Sequence, residues 1–355
     1  MMKTILITGG CGFVGSNLAV MLKLKYPGYR ITALDNLRRR GSELNIARLS
    51  AAGVAFLHGD VRNREDLAAA GPFDLLIEAS AEPSVLAGID GPLDYLVNTN
   101  LIGTINCLNQ AARHGAAFIF LSTSRVYPIR KLESIRIGES PTRFTIAEMQ
   151  DIPGISPSGI TEDFPLEGAR SFYGASKLAS ELLINEYHEM RGLPSVINRC
   201  GVIAGPHQMG RTDQGFVVLW VARHIWNGKL EYIGYGGNGR QVRDILHVRD
   251  LCRLIDHQIH HLEDFNGQTF NVGGGPACSI SLAELTALCS EVTGNDIQIG
   301  PAGFSRPADV PVYITDNTRI SILSGWKPEC SPLEIVTDIY QWIIDNRLQL
   351  ERILN

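Results

Sequence analysis

Nowhere in the 355-residue sequence is there an apolar run of the roughly 18 residues that a membrane-spanning helix needs. The first apolar run, Ile5 to Ile7, gives way to glycines and not to a cleavage site, so neither a membrane span nor an export signal is expected and the chain reads as cytoplasmic. Positive charge is also scarce. The 32 Lys and Arg are outnumbered by 37 Asp and Glu, and the arginines fall in short scattered stretches, which excludes a broad nucleic-acid surface. Closely spaced cysteines are missing as well. The seven present (Cys11, Cys107, Cys200, Cys252, Cys278, Cys289 and Cys330) are odd in number, far apart and without a Cys-x-x-Cys pair, so zinc and redox pairs are excluded and reduced, mostly buried thiols are expected. Internal repeats and low-complexity tracts are absent too.

What is present is an ordinary globular composition, 45% hydrophobic and 19% charged. Short β-rich runs at Thr4–Ile7, Arg30–Leu34, Val54–His58, Leu75–Glu78 and Ala117–Leu121 alternate with helical patterns, and a helix from Tyr173 to Arg191 leads into another run at Ser195–Arg199. That rhythm predicts the α/β class: a doubly wound parallel sheet covered on both faces. After Gly201 glycines and prolines punctuate shorter elements, among them helices near Phe216–Trp226 and Leu282–Val292, which predicts a smaller C-terminal α+β lobe. The division expected is 1–200, with a returning segment near 240–270, and 201–355. The polar stretch Pro128–Arg170 is too long for a simple connection and is expected to lie over a site.

The strongest motif is Thr8-Gly9-Gly10-Cys11-Gly12-Phe13-Val14-Gly15, which follows the first strand and opens a helix, the order a Rossmann dinucleotide turn requires. Gly9 suits the tight turn, Gly12 lets backbone amides approach a diphosphate, and Gly15 lets helix and strand pack closely. Asp35 stands 20 residues beyond Gly15, at the end of the second strand, where a carboxylate bonds ribose hydroxyls and repels a 2′-phosphate. The cofactor expected is therefore NAD, although Arg38, Arg39 and Arg40 supply guanidinium that could meet such a phosphate. Asp60, after the third strand, is placed to reach the adenine rim or to be a plain loop carboxylate.

Four-residue spacing puts Tyr173 and Lys177 on one helical face. A tyrosine ordinarily titrates near 10 and acts as a base at neutral pH only where a cation stabilises its phenolate, the part Lys177 can play. Thr123 closes the fifth strand, at the carboxyl edge where open parallel sheets bind ligands, and can hydrogen-bond a reacting oxygen.

Together, Thr8 to Gly15, Asp35, Asp60, Ser122-Thr123-Ser124, Tyr173/Lys177 and Asn198-Arg199 resemble the extended short-chain dehydrogenases/reductases, the NAD-dependent nucleotide-sugar epimerase/dehydratase group, over almost the whole chain. Gly9 to Phe13, Asp213-Gln214-Gly215 and Gly237 to Asp244 are most similar to the branch that inverts carbon-2 of CDP-linked hexoses. The resemblance implies catalysis by Thr123, Tyr173 and Lys177. It implies NAD contacts at Gly9, Gly12, Phe13, Val14, Gly15, Asp35, Asn36, Arg38, Asp60, Val61, Ala79, Ser80, Ala81, Ser122, Tyr173, Lys177 and Cys200. Substrate contacts are implied at Glu82, Ser124, Gln208, Gln214 and Arg240, with Arg243 and Arg306 on the diphosphate and Asp309 on the nucleotide ribose. A CDP-sugar is the preferred partner and a UDP-sugar the other.

Three departures from that branch, at Glu78 to Ala81, at Cys200 to Val202 and at Pro128, are expected to border the sugar. Ser124-Arg125 replaces the Asp-Glu pair that a 4,6-dehydratase of this group needs. The alternatives left open are a UDP-sugar 4-epimerase and a catalytically silent NAD-binding sensor. His257, His260 and His261 fall at helical spacing, read as a solvated helix end and not a metal site; His247 reads as structural, and no metal is required. The amphipathic helices Asp94–Arg113 and Tyr173–Arg191 imply a homodimer, as in enzymes of the group.

Overall fold

In the computed structural model, which describes residues 3–211, 214–304 and 307–355, the β-rich runs of the N-terminal half are strands, the central ones (the first, fourth and fifth in chain order) buried on both faces and the third, at the sheet edge, partly exposed. They are β1 (Thr4–Thr8), β2 (Arg30–Asp35), β3 (Ala55–His58), β4 (Leu75–Glu78) and β5 (Ala117–Thr123), joined by β6 (Ser195–Cys200) and β7 (Gln268–Val272). The seven form one sheet in the order β7-β6-β5-β4-β1-β2-β3, and β1 pairs in parallel with both β2 and β4. Helices α1 (Phe13–Lys25), α2 (Asn45–Ala52) and α3 (Arg64–Ala68) return the chain between the first strands. Because strands 2 and 3 lie on one side of β1 and strands 4 and 5 on the other, the carboxyl ends of β1 and β4 form the point where the winding reverses, the place where such sheets bind ligands.

The chain divides into two compact units, one comprising residues 1–126, 172–199 and 252–269, the other 127–171, 200–251 and 270–355. The first has its core where Leu6, Leu76, Phe118 and Phe120 of the sheet meet Cys107, Leu108, Ala111 and Ile184 of the helices, all fully buried.

The helix expected over Asp94–Arg113 is not uniform. It runs α4 (Asp94–Val97), a π-helical turn over Asn98–Ile102, then α5 (Gly103–His114); a π turn is a device for re-aiming side chains and has no periodic signature in sequence. The following long helix, α6 (Phe172–Arg191), is regular. Pro128–Arg170 is not a plain connection either. It folds into a helix at Ile129–Glu133 and two small hairpins, 137–139 with 144–146 and 155–156 with 159–160, and it buries Ile160 and Phe164 in the second unit. That unit otherwise holds short strands at 202–204, 242–247, 279–281 and 312–313 and helices Phe216–Ile225, Leu282–Thr293 and Pro332–Asp345. Among the described residues no helix is long and apolar enough to cross a membrane, and the seven cysteines are all buried, with no disulfide between them.

Candidate functional site

β1 ends in a turn that needs glycine. Gly9 has φ +65°, and a Cβ there would lie 2.7 Å from the backbone of Ala79 and Ser80, just past β4. A Cβ on Gly15 would sit 2.2 Å from the Gly9 carbonyl oxygen, so α1 packs directly onto the turn. Gly12 caps α1 without a side-chain hydrogen bond, and no acidic residue stands in the helix's first turn. The amides of Phe13, Val14 and Gly15 thus open the helix with its positive dipole end uncovered by any side-chain cap, and a Cβ on Gly12 would meet only the Gly9 main chain. This is an anion cradle, and it fits a dinucleotide's diphosphate.

Asp35 closes β2 beside it, accepting the Cys11 amide at 3.0 Å and the Leu37 amide at 2.8 Å. Burial raises its carboxyl above the ordinary range, against those amides. Asp60 is less available than expected: Asn36 donates to its carboxylate at 2.8 Å and Arg62 pairs with it at 2.6 Å. Burial opposes that charge, but these bonds outweigh it and hold the carboxyl down at about 2. Arg38 and Arg62 lie 3.7 and 4.8 Å from the centre of the Tyr95 ring, a cation–π stack that ties down Arg38. Val61 is buried in the core, which leaves its main chain for any ligand contact; Cys200 is buried at the end of β6.

β5 delivers Thr123, mostly buried, whose hydroxyl accepts the Arg125 amide at 3.2 Å; Ser124 begins the short 3₁₀ turn that follows. On α6, Tyr173 is half-buried and Lys177 is 1% exposed, with its ammonium 3.7 Å from the Phe120 ring centre. The π turn places Asn100 to brace this helix. Its side chain donates to Ser176 Oγ at 3.1 Å and to the Glu82 carbonyl, and accepts the Glu82 amide at 2.7 Å. Ser122 turns its hydroxyl to Glu181, which also receives Arg199 at 2.8 Å, a buried network beneath Thr123. Asn100, Tyr95 and Glu181 carry none of the sequence expectations; only Glu181, eight residues beyond Tyr173, had a helical signal that could have found it.

The strand end Glu78 to Ala81 needs correction. Glu78 is sealed in the core: it is 0% exposed, its Oε1 accepts the Thr104 hydroxyl at 2.7 Å, and burial pushes its carboxyl up to about 7 against the Lys177 charge and that hydrogen bond. Ala79, Ser80 and Ala81 are half-buried, and Ser80 shares a 3.1 Å hydrogen bond with Thr8.

In the second unit, Arg243 and Asp309 are paired with each other at 2.6 Å, where each had been expected to meet a different part of a ligand. Arg243 also donates to the Val242 and Val310 carbonyls. Arg240 pairs with Glu139, Gln208 donates to the Ile203 carbonyl at 3.0 Å, and Gln214 bonds through its main chain to Arg211. Arg306 and Asp213 lie outside the described residues. His247 is buried against Asp338 at 3.2 Å, as a structural residue would be, and His260 meets the Tyr29 hydroxyl at 2.8 Å.

Glycine turn, uncapped helix and acid-ended second strand are those of a doubly wound α/β protein built to hold a dinucleotide. The chain belongs to the NAD dependent epimerase/dehydratase family, whose pattern matches residues 5–273; NAD is its cofactor. It is 32% identical to CDP-paratose 2-epimerase of Salmonella typhi over 95% of this chain and 98% of that one, and 27% identical to UDP-glucose 4-epimerase of Bacillus subtilis over 96% and 97%. The solved structure of UDP-glucuronic acid 4-epimerase from Bacillus cereus, in complex with UDP-glucuronic acid and NAD, superposes with a TM-score of 0.78 over 97% of this chain and 99% of that one; at 24% identity the likeness is one of fold.

Proposed function

We propose that this enzyme inverts carbon-2 of a CDP-linked hexose. The observation that carries the proposal is the pairing of Tyr173 and Lys177 on one face of α6, Lys177 wholly buried, in the unit that also holds the cradle at Gly9 to Gly15. The 32% identity to a CDP-sugar 2-epimerase over nearly both whole chains supports the choice of sugar and carbon. NAD, when bound, supplies a two-electron acceptor that takes a hydride from the sugar carbon and gives it back.

The protein's own part is proton handling and orientation. Tyr173 takes the proton from the sugar hydroxyl as the carbonyl forms and returns it as the carbonyl is reduced. Lys177 stabilises the phenolate electrostatically, and Thr123 donates to the sugar oxygen on which charge develops. Inversion requires the keto-sugar to present its other face before reduction. Gly9 to Gly15 hold the cofactor's diphosphate and Asp35 its ribose; Gln208, Gln214, Arg240, Arg243, Arg306 and Asp309 contact the nucleotide sugar. For Arg243 and Asp309 that means exchanging their mutual ion pair for ligand. We further propose a homodimer formed through α4–α5 and α6, which leave Ile102, Leu182 and Met190 exposed.

Incubation with CDP-glucose, CDP-paratose, UDP-glucose and UDP-galactose in deuterium oxide, followed by proton NMR, tests the reading. Carbon-2 inversion of a CDP-sugar without solvent deuterium is expected, and Tyr173→Phe abolishes it while NAD stays bound. Inversion at carbon-4 of a UDP-sugar would replace the proposal with the 4-epimerase alternative; no conversion at all would leave the sensor. Light scattering on a sizing column reports the dimer.

A further inference from the structure

Glu78 ends β4, and its register partner on β5 is Phe120. Neighbours in register project from the same face of a sheet, and on that face the Lys177 ammonium rests 3.7 Å from the Phe120 ring centre. The Glu78 carboxyl is therefore sealed beneath the lysine. Its Oε1 accepts the Thr104 hydroxyl at 2.7 Å, and its Oε2, buried, has no hydrogen-bond partner among the described residues. The other titratable groups facing it are few. Lys177 comes from α6, and the Cys107 thiol, held un-ionised by burial and by Glu78 itself, comes from α5. β1 contributes only the Thr8 hydroxyl, and further along the sheet face Glu181 and Arg199 balance each other. The strongest charge acting on Glu78 is that of Lys177, which outweighs the Thr104 hydrogen bond.

We propose that Glu78 is a positioning residue whose ionisation sets how much of the Lys177 charge is left to stabilise the Tyr173 phenolate. When Glu78 is a neutral acid, Lys177 acts on Tyr173 undiminished. When its proton leaves to bulk water, the carboxylate takes up part of the ammonium's field and Tyr173 holds its own proton more tightly. Burial places this switch near neutrality, at about 7. The inference rests on the proposed role of Tyr173, but its test does not need the sugar.

The phenolate is titrated by ultraviolet difference absorbance in the NAD-loaded protein, each variant against the same variant carrying Tyr173→Phe. Glu78→Gln removes the charge at nearly constant shape, and the Tyr173 midpoint is expected to fall by about half a pH unit or more, the scale of a charge acting within one or two helix turns. Thr104→Val deprives the carboxylate of its donor, favours the neutral acid and should move the midpoint in the same direction even if Glu78→Gln folds poorly. A structural role alone would lower the melting temperature of both variants and leave the midpoint in place, and that result overturns the proposal, as does a midpoint that rises. A moved midpoint in an enzyme that converts no nucleotide sugar would sink the epimerase reading and keep this one; turnover with an unmoved midpoint would do the reverse.

Discussion

Arg199, near the end of β6, offers the sharpest test of what holds β6 and α6 together. Its guanidinium meets both Glu181 oxygens, with Nε at 3.2 and 3.1 Å and Nη2 at 2.8 Å, and the two side chains are 8% and 2% exposed. Arg199→Met keeps the stem and removes the cation. Oε1 keeps Ser122 as a donor, whereas Oε2 loses both of its bonds and a carboxylate is stranded in the core. Leaving one partner of a buried pair costs about 3–5 kcal/mol. Replacing both partners, Glu181→Met with Arg199→Met, removes the stranded charge, so the double variant is expected to be more stable than the single one. The coupling across the cycle should reach about 2 kcal/mol or more. Urea unfolding followed by tryptophan fluorescence and by circular dichroism reads these differences where the two probes coincide. A loss under about 1 kcal/mol for Arg199→Met, or a double variant equal to the sum of the singles, would refute the account of a buried pair that is costly to break and cheap to delete.

Gly15→Ala places a Cβ 2.2 Å from the Gly9 carbonyl oxygen, main chain that cannot step aside, so NAD affinity measured by calorimetry should drop at least about tenfold or the protein should fail to fold. Lys177→Met should cut turnover by about a hundredfold or more with NAD still bound, read as kcat at saturating sugar. Glu78 should contribute a loss of stability between about pH 4.5 and 7. The folded-state value of Glu78 lies above its unfolded value near 4.5, so the folded chain binds that proton more tightly; the contribution is complete below the unfolded value and is lost as pH climbs through about 7. It amounts to at most about 3 kcal/mol, and melting curves for Glu78→Gln should lack this part of the slope. Asp60 runs the other way: its value is depressed, so its contribution is present at neutrality and fades only as pH falls from the ordinary carboxylate range towards about 2, a limb that Arg62→Ala should bring to higher pH in acid melts.

The sheet was legible because strands covered on both faces read as unbroken β-rich runs, and Thr4 to Thr8 followed by glycines is such a run. The same double burial hid Glu78. When both faces are covered, alternation no longer says which side a residue takes, so a carboxylate at a strand end reads as a ligand contact when it is sealed in the core. The π turn at Asn98–Ile102 was invisible for a different reason, since one inserted residue alters where Asn100 points without altering the helical composition. Hairpins of two and three residues, as at 155–160, are too short to express a period. The pairing of Arg243 with Asp309 joins positions 66 residues apart, and no local pattern announces it.

The burial of every thiol has a practical corollary. Cys11 sits in the turn at the head of α1, and burial, then the nearby Asp35, pushes its thiol up to about 12. An alkylating reagent thus finds no reactive thiolate on the native surface, and its slow uptake becomes a clock for opening of the interior. A single cysteine engineered on the exterior could carry a fluorophore over a near-silent background.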